Sequence, residues 1–417
     1  MSTLPASDRS HVTWAVVLCW VAVALEGFDL VVIGAVIPTL IETGDLGFTP
    51  ASATTAATMG LVGVAIGALA IGALTDRFGR RVTLIGCVAG FSVLTLLIAA
   101  SPNIAVFVTL RFLAGLGLGG CLPIALAFMS ETSSRDRASA AVTRTMTGYH
   151  VGAVLTALLA LVFLQEWGWD WRSLFVTGGV VGLLALPVMW LKLPESDAYL
   201  AVKEGIGTRP SAMLAVRQLV KGRYLRVSIG LWVASFMGLL LVYGLNTWLP
   251  TIMREAGYEV GAALTLLLVL NLGAVAGLFV GGVVADRRGN KPSVLMWFAA
   301  AAVLLAALSI KMEITALLYL AVFVTGFFVF SAQVLVYAFV GALYPTDARG
   351  TALGFSSGIG RLGAIIGPSI TGALVSAEIA YPWGFYVFSA AAVVAVAALS
   401  IVPALAPARD EVPAAAR

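Results

Sequence analysis

The sequence predicts an all-α integral membrane protein with twelve transmembrane helices in two sets of six. Of its 417 residues, 60% are hydrophobic and 11% are charged, whereas a soluble chain usually carries about 25% charged residues. Twelve apolar segments are long enough to cross a bilayer, which takes about 20 helical residues. One long polar interruption divides them. We therefore predict an N-terminal domain at 1–193, a cytoplasmic central loop at 194–226 and a C-terminal domain at 227–417.

The twelve predicted helices follow one another with short polar connections. In order, they are 14–40, 51–75, 82–100, 104–130, 138–164, 173–193, 227–252, 260–285, 292–310, 314–342, 351–376 and 383–404. Several glycines recur four residues apart, a spacing that allows helices to approach closely. We interpret these pairs as packing surfaces: Gly63/Gly67, Gly115/Gly119 and Gly273/Gly277/Gly281.

The basic residues predict the orientation of the helices. With the N-terminus in the cytoplasm, 20 of the 25 Lys and Arg residues fall on the cytoplasmic side. Three fall outside, namely Arg172, Arg254 and Lys311, and Arg111 and Arg361 lie within helices. Cytoplasmic loops of membrane proteins carry an excess of Lys and Arg. We expect both termini on the cytoplasmic side of a bacterial cytoplasmic membrane.

Two acidic residues, Glu26 and Asp29, interrupt the first apolar helix. Their spacing of three places them on one helical face, and a charge at the bilayer centre costs at least about 2.5–3.5 kcal/mol. At about 1.5 Å per residue, Arg111 on the fourth predicted helix lies at a similar depth. We predict that these three residues form a site that binds and releases a proton, with His150 as a further candidate for proton coupling. The alternative is a permanent Arg111–Asp29 ion pair that joins two helices.

Arg361 is the second cation within the predicted membrane region, and no acid on helices 7 to 12 is an obvious partner for it. An unpaired arginine in a cavity suits a carboxylate, which it binds through two parallel hydrogen bonds. Arg361 and Arg111 are therefore candidate anion-binding residues. Candidate ligand-binding polar and aromatic groups on helices 7 and 10 are Tyr243, Asn246, Trp248, Gln333 and Tyr337. Ordinary interior packing is the alternative for each of them.

A loop motif occurs once in each half of the chain. The stretch GALTDRFGRR at 72–81 follows the second helix, and GVVADRRGNK at 282–291 follows the eighth, 210 positions later. Acidic and basic groups in a tight glycine turn at the membrane surface can form ion pairs in one conformation and release them in another. We predict that this pair of loops controls gating. Its candidate residues are Asp76, Arg77, Arg80, Arg81, Asp286 and Arg287.

These repeated loops resemble the signature loop of the major facilitator superfamily, and the resemblance extends over essentially the whole chain. It implies two six-helix bundles related by a pseudo-two-fold axis, each built from inverted three-helix repeats, and a substrate site near mid-membrane. It also implies that helices 1, 4, 7 and 10 line the cavity.

A narrower resemblance is to the aromatic acid:proton symporters of that superfamily. It rests on EGFD at 26–29, RFLAGLGLG at 111–119, YGLNTWLP at 243–250, and YPTDARG at 344–350 with GIGR at 358–361 and GP at 367–368. Glu26 stands where the family pattern usually has Asp. GYHVG at 148–152 lacks the Gly-Pro element typical of antiporters. The resemblance implies a proton-coupled importer of an aromatic carboxylate such as benzoate or a hydroxybenzoate.

Other functions remain open at this point. A symporter for another small organic acid or a polyol is one alternative, although two intramembrane arginines favour an anion. A membrane sensor that binds its ligand without transporting it is another. We expect no enzyme, because no nucleophile–base constellation is recognisable. We also expect no metal, no cofactor besides the coupling proton, no nucleic-acid partner, and a monomer in the lipid bilayer.

Overall fold

Long helices make up almost all of the computed structural model, which describes residues 6–132, 138–196, 199–200, 217, 219–344 and 346–403. We number these helices in chain order. The first half contains α1 (Ala6–Thr43), α2 (Pro50–Phe78), α3 (Arg80–Ala99), α4 (Ile104–Thr132), α5 (Ala138–Ala160) and α6 (Arg172–Lys192). A 3₁₀ turn, Asp45–Gly47, lies between α1 and α2, and a π-helical turn, Leu161–Glu166, continues α5.

The second half repeats this series of six helices. It contains α7 (Arg223–Glu255), α8 (Val260–Arg288), α9 (Asn290–Ala307), α10 (Thr315–Leu343), α11 (Thr346–Ser376) and α12 (Ala380–Ser400). All twelve are long and apolar enough to cross a membrane, so the chain is a multi-pass membrane protein. Most of the predicted central loop lies outside the described residues, and α7 begins within its predicted range.

The helix ends follow local chemistry as well as hydropathy. Thr49 precedes Pro50 at the start of α2, and its hydroxyl accepts the backbone N–H of Ser52 at 3.2 Å. The Ser52 hydroxyl accepts the Thr49 N–H at 2.8 Å, which completes a capping box. At the other end of α2, Gly79 has φ +89°, and Gly289 after α8 has φ +88°. Both loop motifs therefore turn through a left-handed residue that favours glycine.

The two halves pack by the same scheme. In the first half α1 packs on α5, α2 on α4 and α3 on α6, and in the second α7 packs on α11, α8 on α10 and α9 on α12. Most of the predicted glycine surfaces form close contacts between these helices, whereas a Cβ atom built on Gly281 would meet only side-chain atoms, at 3.6 Å or more. Gly63 and Gly67 on α2 lie against backbone carbonyls of α4, and Gly273 and Gly277 on α8 lie against those of α10. Side chains larger than glycine would separate these helices.

The most extensive contacts between the two halves are those of α1 with α7, α2 with α11, and α5 with α8. Near one end of the molecule, the Thr58 and Ser369 hydroxyls are 3.0 Å apart and form a hydrogen bond between α2 and α11. Arg254 near the end of α7 forms an ion pair with Glu42 near the end of α1. These contacts lie at the end of the bundle opposite the two loop motifs. The halves therefore touch at that end in this conformation.

Candidate functional site

Asp29 joins three helices of the first half. An Nη atom of Arg111 on α4 lies 2.5 Å from one carboxylate oxygen of Asp29, and each side chain is only 3% exposed. The same nitrogen donates to the Asp29 backbone carbonyl at 3.2 Å. The hydroxyl of Thr95 on α3 donates to the other carboxylate oxygen. This geometry fits the helix-joining alternative as well as a proton-coupling role, so the role remains a prediction.

Glu26, one turn before Asp29, has different surroundings. Its side chain is 0% exposed, and neither carboxylate oxygen has a hydrogen-bond partner among the described residues. The backbone of Leu122 on α4 lies near it without the geometry of a hydrogen bond. Its charge interacts through space with Arg361 of the other half. The two acids share a helical face, but their partners come from different halves of the protein.

Arg361 lies on α11 and is 6% exposed. Its guanidinium donates to the hydroxyl of Tyr243 on α7 at 3.3 Å, and it also interacts electrostatically with Glu26, Tyr149 and Tyr337. No carboxylate oxygen of the described residues lies within salt-bridge distance of it. Arg361 is therefore a buried cation that contacts tyrosines and has a carboxylate nearby but not paired with it.

Aromatic rings from both halves meet beside this cation. The rings of Tyr149 on α5 and Tyr243 on α7 have centroids 6.5 Å apart, and those of His150 on α5 and Phe330 on α10 are 5.4 Å apart. The His150 Nδ1 is buried without a hydrogen-bond partner within the described part of the chain, and the buried Tyr149 hydroxyl lies near that of Tyr243. The sequence analysis missed Tyr149, and its position next to His150 was the only signal for it.

Three other predicted ligand-binding residues have partners elsewhere. The indole N–H of Trp248 donates to the backbone carbonyl of Pro368 at 2.9 Å. The side-chain oxygen of Asn246 accepts from Asn271 at 3.0 Å, and Gln333 donates to the Ser235 hydroxyl at 3.2 Å. Each of these bonds links helices of the second half. Their contact with a substrate remains a prediction.

Comparison with known proteins places this arrangement in a family. The family model described as Major Facilitator Superfamily matches residues 19–310 and 267–417. The chain belongs to the major facilitator superfamily. It is 37% identical over 393 residues to the gentisate transporter of Corynebacterium glutamicum, covering 93% of this chain and 86% of that one. Members of this family are transporters, so the protein is a transporter and not an enzyme.

Two further similarities extend over most of the transporter. It is 32% identical to the gallate transporter of Pseudomonas putida over 390 residues, or 88% of this chain and 86% of that one. The crystal structure of a D-xylose–proton symporter matches with a TM-score of 0.76 at 16% identity, covering 94% of this chain and 98% of that one. At that identity the structural match shows the shared fold alone.

The predicted gating loop of the first half binds an acid that the sequence analysis did not select. One carboxylate oxygen of Glu195, just after α6, accepts the backbone N–H groups of Arg80 at 2.9 Å and Arg81 at 3.1 Å. A carboxylate at a helix N-terminus satisfies free N–H groups and complements the helix dipole. Tyr199 also donates to the carbonyl of Arg77 at 3.3 Å. The side chain of Asp76 lies outside the described residues.

The two loops of the transporter are anchored at equivalent positions. The Arg81 guanidinium donates to the carbonyl of Trp190 on α6, and the Lys291 ammonium donates to the carbonyl of Ser400 on α12 at 3.2 Å. Both members of the second pair lie 210 residues after those of the first. Asp286 and Arg287 are exposed. Their gating role remains a prediction.

Proposed function

We propose that the protein is a proton-coupled symporter that imports a small aromatic carboxylate by alternating access. Arg361 carries this proposal, because a buried cation without a salt-bridge partner among the described residues suits an anion that must lose its hydration. Tyr243 and Tyr337 lie around it and offer aromatic surface and hydroxyl groups. The gentisate and gallate transporters are named for aromatic acids, which supports this substrate class.

Glu26 is the residue we assign to proton binding. A buried carboxyl group without hydrogen bonds changes its preferred protonation state when a cation approaches or leaves. A substrate carboxylate that binds Arg361 would compete with Glu26 for that cation, and a proton would then neutralise Glu26. We propose that Asp29, Arg111 and Thr95 form the second part of the coupling site. In this proposal the membrane is the bacterial cytoplasmic membrane, with both termini in the cytoplasm.

The experiment is uptake into proteoliposomes that contain the purified protein. Labelled benzoate and hydroxybenzoates are offered with and without an inwardly directed proton gradient, and labelled xylose and acetate serve as an uncharged polyhydroxylated compound and an aliphatic acid. We expect the gradient to drive accumulation of an aromatic acid, and a protonophore to abolish it. Accumulation of xylose or acetate alone would contradict the substrate class. Binding of aromatic acids without uptake would indicate a sensor.

A further inference from the structure

His150 and its neighbours contain polar atoms that the proposed carboxylate and proton sites leave unused. The Nδ1 of His150 is buried and has no hydrogen-bond partner among the described residues, and the buried hydroxyl of Tyr149 lies near that of Tyr243. Leaving a buried polar atom unpaired destabilises a protein. His150 and Tyr149 lie on α5, where they meet rings of the opposite half. A ligand between the halves would therefore meet these atoms.

The contacts connect this pair to the cation step by step. Arg361 donates to Tyr243, the ring of Tyr243 lies beside that of Tyr149, and the ring of Tyr149 meets that of His150 at 5.2 Å. The ring of His150 also meets the apolar ring of Phe330, with centroids 5.4 Å apart. A ligand whose carboxylate binds Arg361 would therefore place its ring among these aromatic side chains. The unpaired Nδ1 of His150 would lie on the other side of that ring.

Resting on the proposed function, we infer that His150 determines specificity by binding a ring hydroxyl of the substrate through its Nδ1. A phenol hydroxyl both donates and accepts a hydrogen bond, so it can pair with Nδ1 in either neutral tautomer of histidine. A site that hydrogen-bonds a substrate hydroxyl discriminates strongly against the analogue that lacks it. The preferred substrates are then hydroxylated benzoates, and benzoate itself binds more weakly.

Calorimetric binding to the purified full-length protein at fixed pH tests this inference. Benzoate is compared with 2-, 3- and 4-hydroxybenzoate in the wild type and in His150→Phe, which keeps an aromatic ring but loses the nitrogen. We expect the wild type to bind at least one hydroxybenzoate about tenfold more tightly than benzoate, the ratio that one buried hydrogen bond gives. His150→Phe should lose that preference, because its affinity for the hydroxybenzoate falls more than its affinity for benzoate, and a melting temperature measured on the same preparation shows that the variant is folded.

Two further variants separate this role from structural or proton-coupling roles. His150→Asn has an amide group bonded to Cγ, so one of its polar atoms lies close to the position of Nδ1. This variant should regain part of the preference for hydroxybenzoates over benzoate. Phe330→Leu removes only apolar surface and should weaken all four ligands equally. The inference is wrong if the wild type shows no preference for any hydroxybenzoate. It is also wrong if His150→Phe weakens all ligands equally, or shifts only the pH profile of uptake. Failure of the wild type to bind any benzoate would instead overturn the proposed function.

Discussion

The two buried arginines differ in how far their charge is already compensated. An Nη atom of Arg111 lies 2.5 Å from the Asp29 carboxylate, whereas the Arg361 guanidinium donates to the hydroxyl of Tyr243. Removing one member of a buried ion pair leaves an uncompensated charge, which costs about 3–5 kcal/mol. Arg111 is therefore suited to holding α1 and α4 together, and Arg361 to binding an anion from outside.

This difference predicts opposite defects in two alanine variants. Arg361→Ala should weaken benzoate binding at least about tenfold, because it removes a charge-assisted hydrogen-bond donor, while the melting temperature changes little. Arg361→Lys should bind benzoate with an affinity between those of Arg361→Ala and the wild type. Lysine keeps the positive charge but lacks the planar guanidinium that donates two parallel hydrogen bonds. Arg111→Ala should lower the melting temperature. Calorimetric binding and thermal unfolding of the same preparations measure both effects. Normal binding by Arg361→Ala would contradict the assignment.

At the scale of helices, the acidic pair depends on a close contact between α1 and α5. Gly27 lies between Glu26 and Asp29, and a Cβ atom built on it would lie 2.1 Å from the backbone carbonyl oxygen of Tyr149. No real contact is that short, so any larger residue must push the helices apart. This glycine therefore helps to set the distance from the acids on α1 to Tyr149 and His150 on α5.

We therefore expect Gly27→Ala to damage the site although it changes no polar atom. The added methyl group should displace α5, lower the melting temperature by several degrees and reduce uptake at least about tenfold, since overpacking typically costs 1–3 kcal/mol. Gly86→Ala is the matched control, because a Cβ atom there meets nothing within 4 Å. It should transport like the wild type. If Gly27→Ala takes up substrate at the wild-type rate, α1 and α5 can move apart without loss of transport and the expectation is wrong.

At the scale of the molecule, the halves make the Thr58–Ser369 contact at the end away from the two loop motifs. Alternating access requires this end to open during each cycle.

Cysteines at both positions should form a cross-link readily, because the two hydroxyls are 3.0 Å apart. The cross-link should stop uptake but leave substrate binding from the other end. The native cysteines at 19, 87 and 121 are buried, and each single-cysteine variant is a control. Uptake by the fully cross-linked protein would show that α2 and α11 need not separate at Thr58 and Ser369 during transport.

The sequence predicted the elements of this fold better than the partners within the site. Each apolar segment became a helix, and the repeated loop motifs marked the two halves, because both signals are local along the chain. The electrostatic interaction of Glu26 with Arg361 connects residues more than 300 positions apart, and it follows only from how the halves pack. Tyr149 and Glu195 escaped notice for the same reason, since their roles depend on contacts with α7 and α3.

The central claim is that Glu26 carries the coupling proton, and one comparison tests it most directly. Wild type and Glu26→Gln are reconstituted into liposomes, and labelled hydroxybenzoate is followed in two modes: accumulation driven by a proton gradient, and exchange against unlabelled substrate at equal pH. A glutamine keeps the size of the side chain but cannot bind or release a proton. We predict that Glu26→Gln loses accumulation and retains exchange. If Glu26→Gln still concentrates substrate along the gradient, Glu26 does not carry the proton and the coupling mechanism proposed above is wrong.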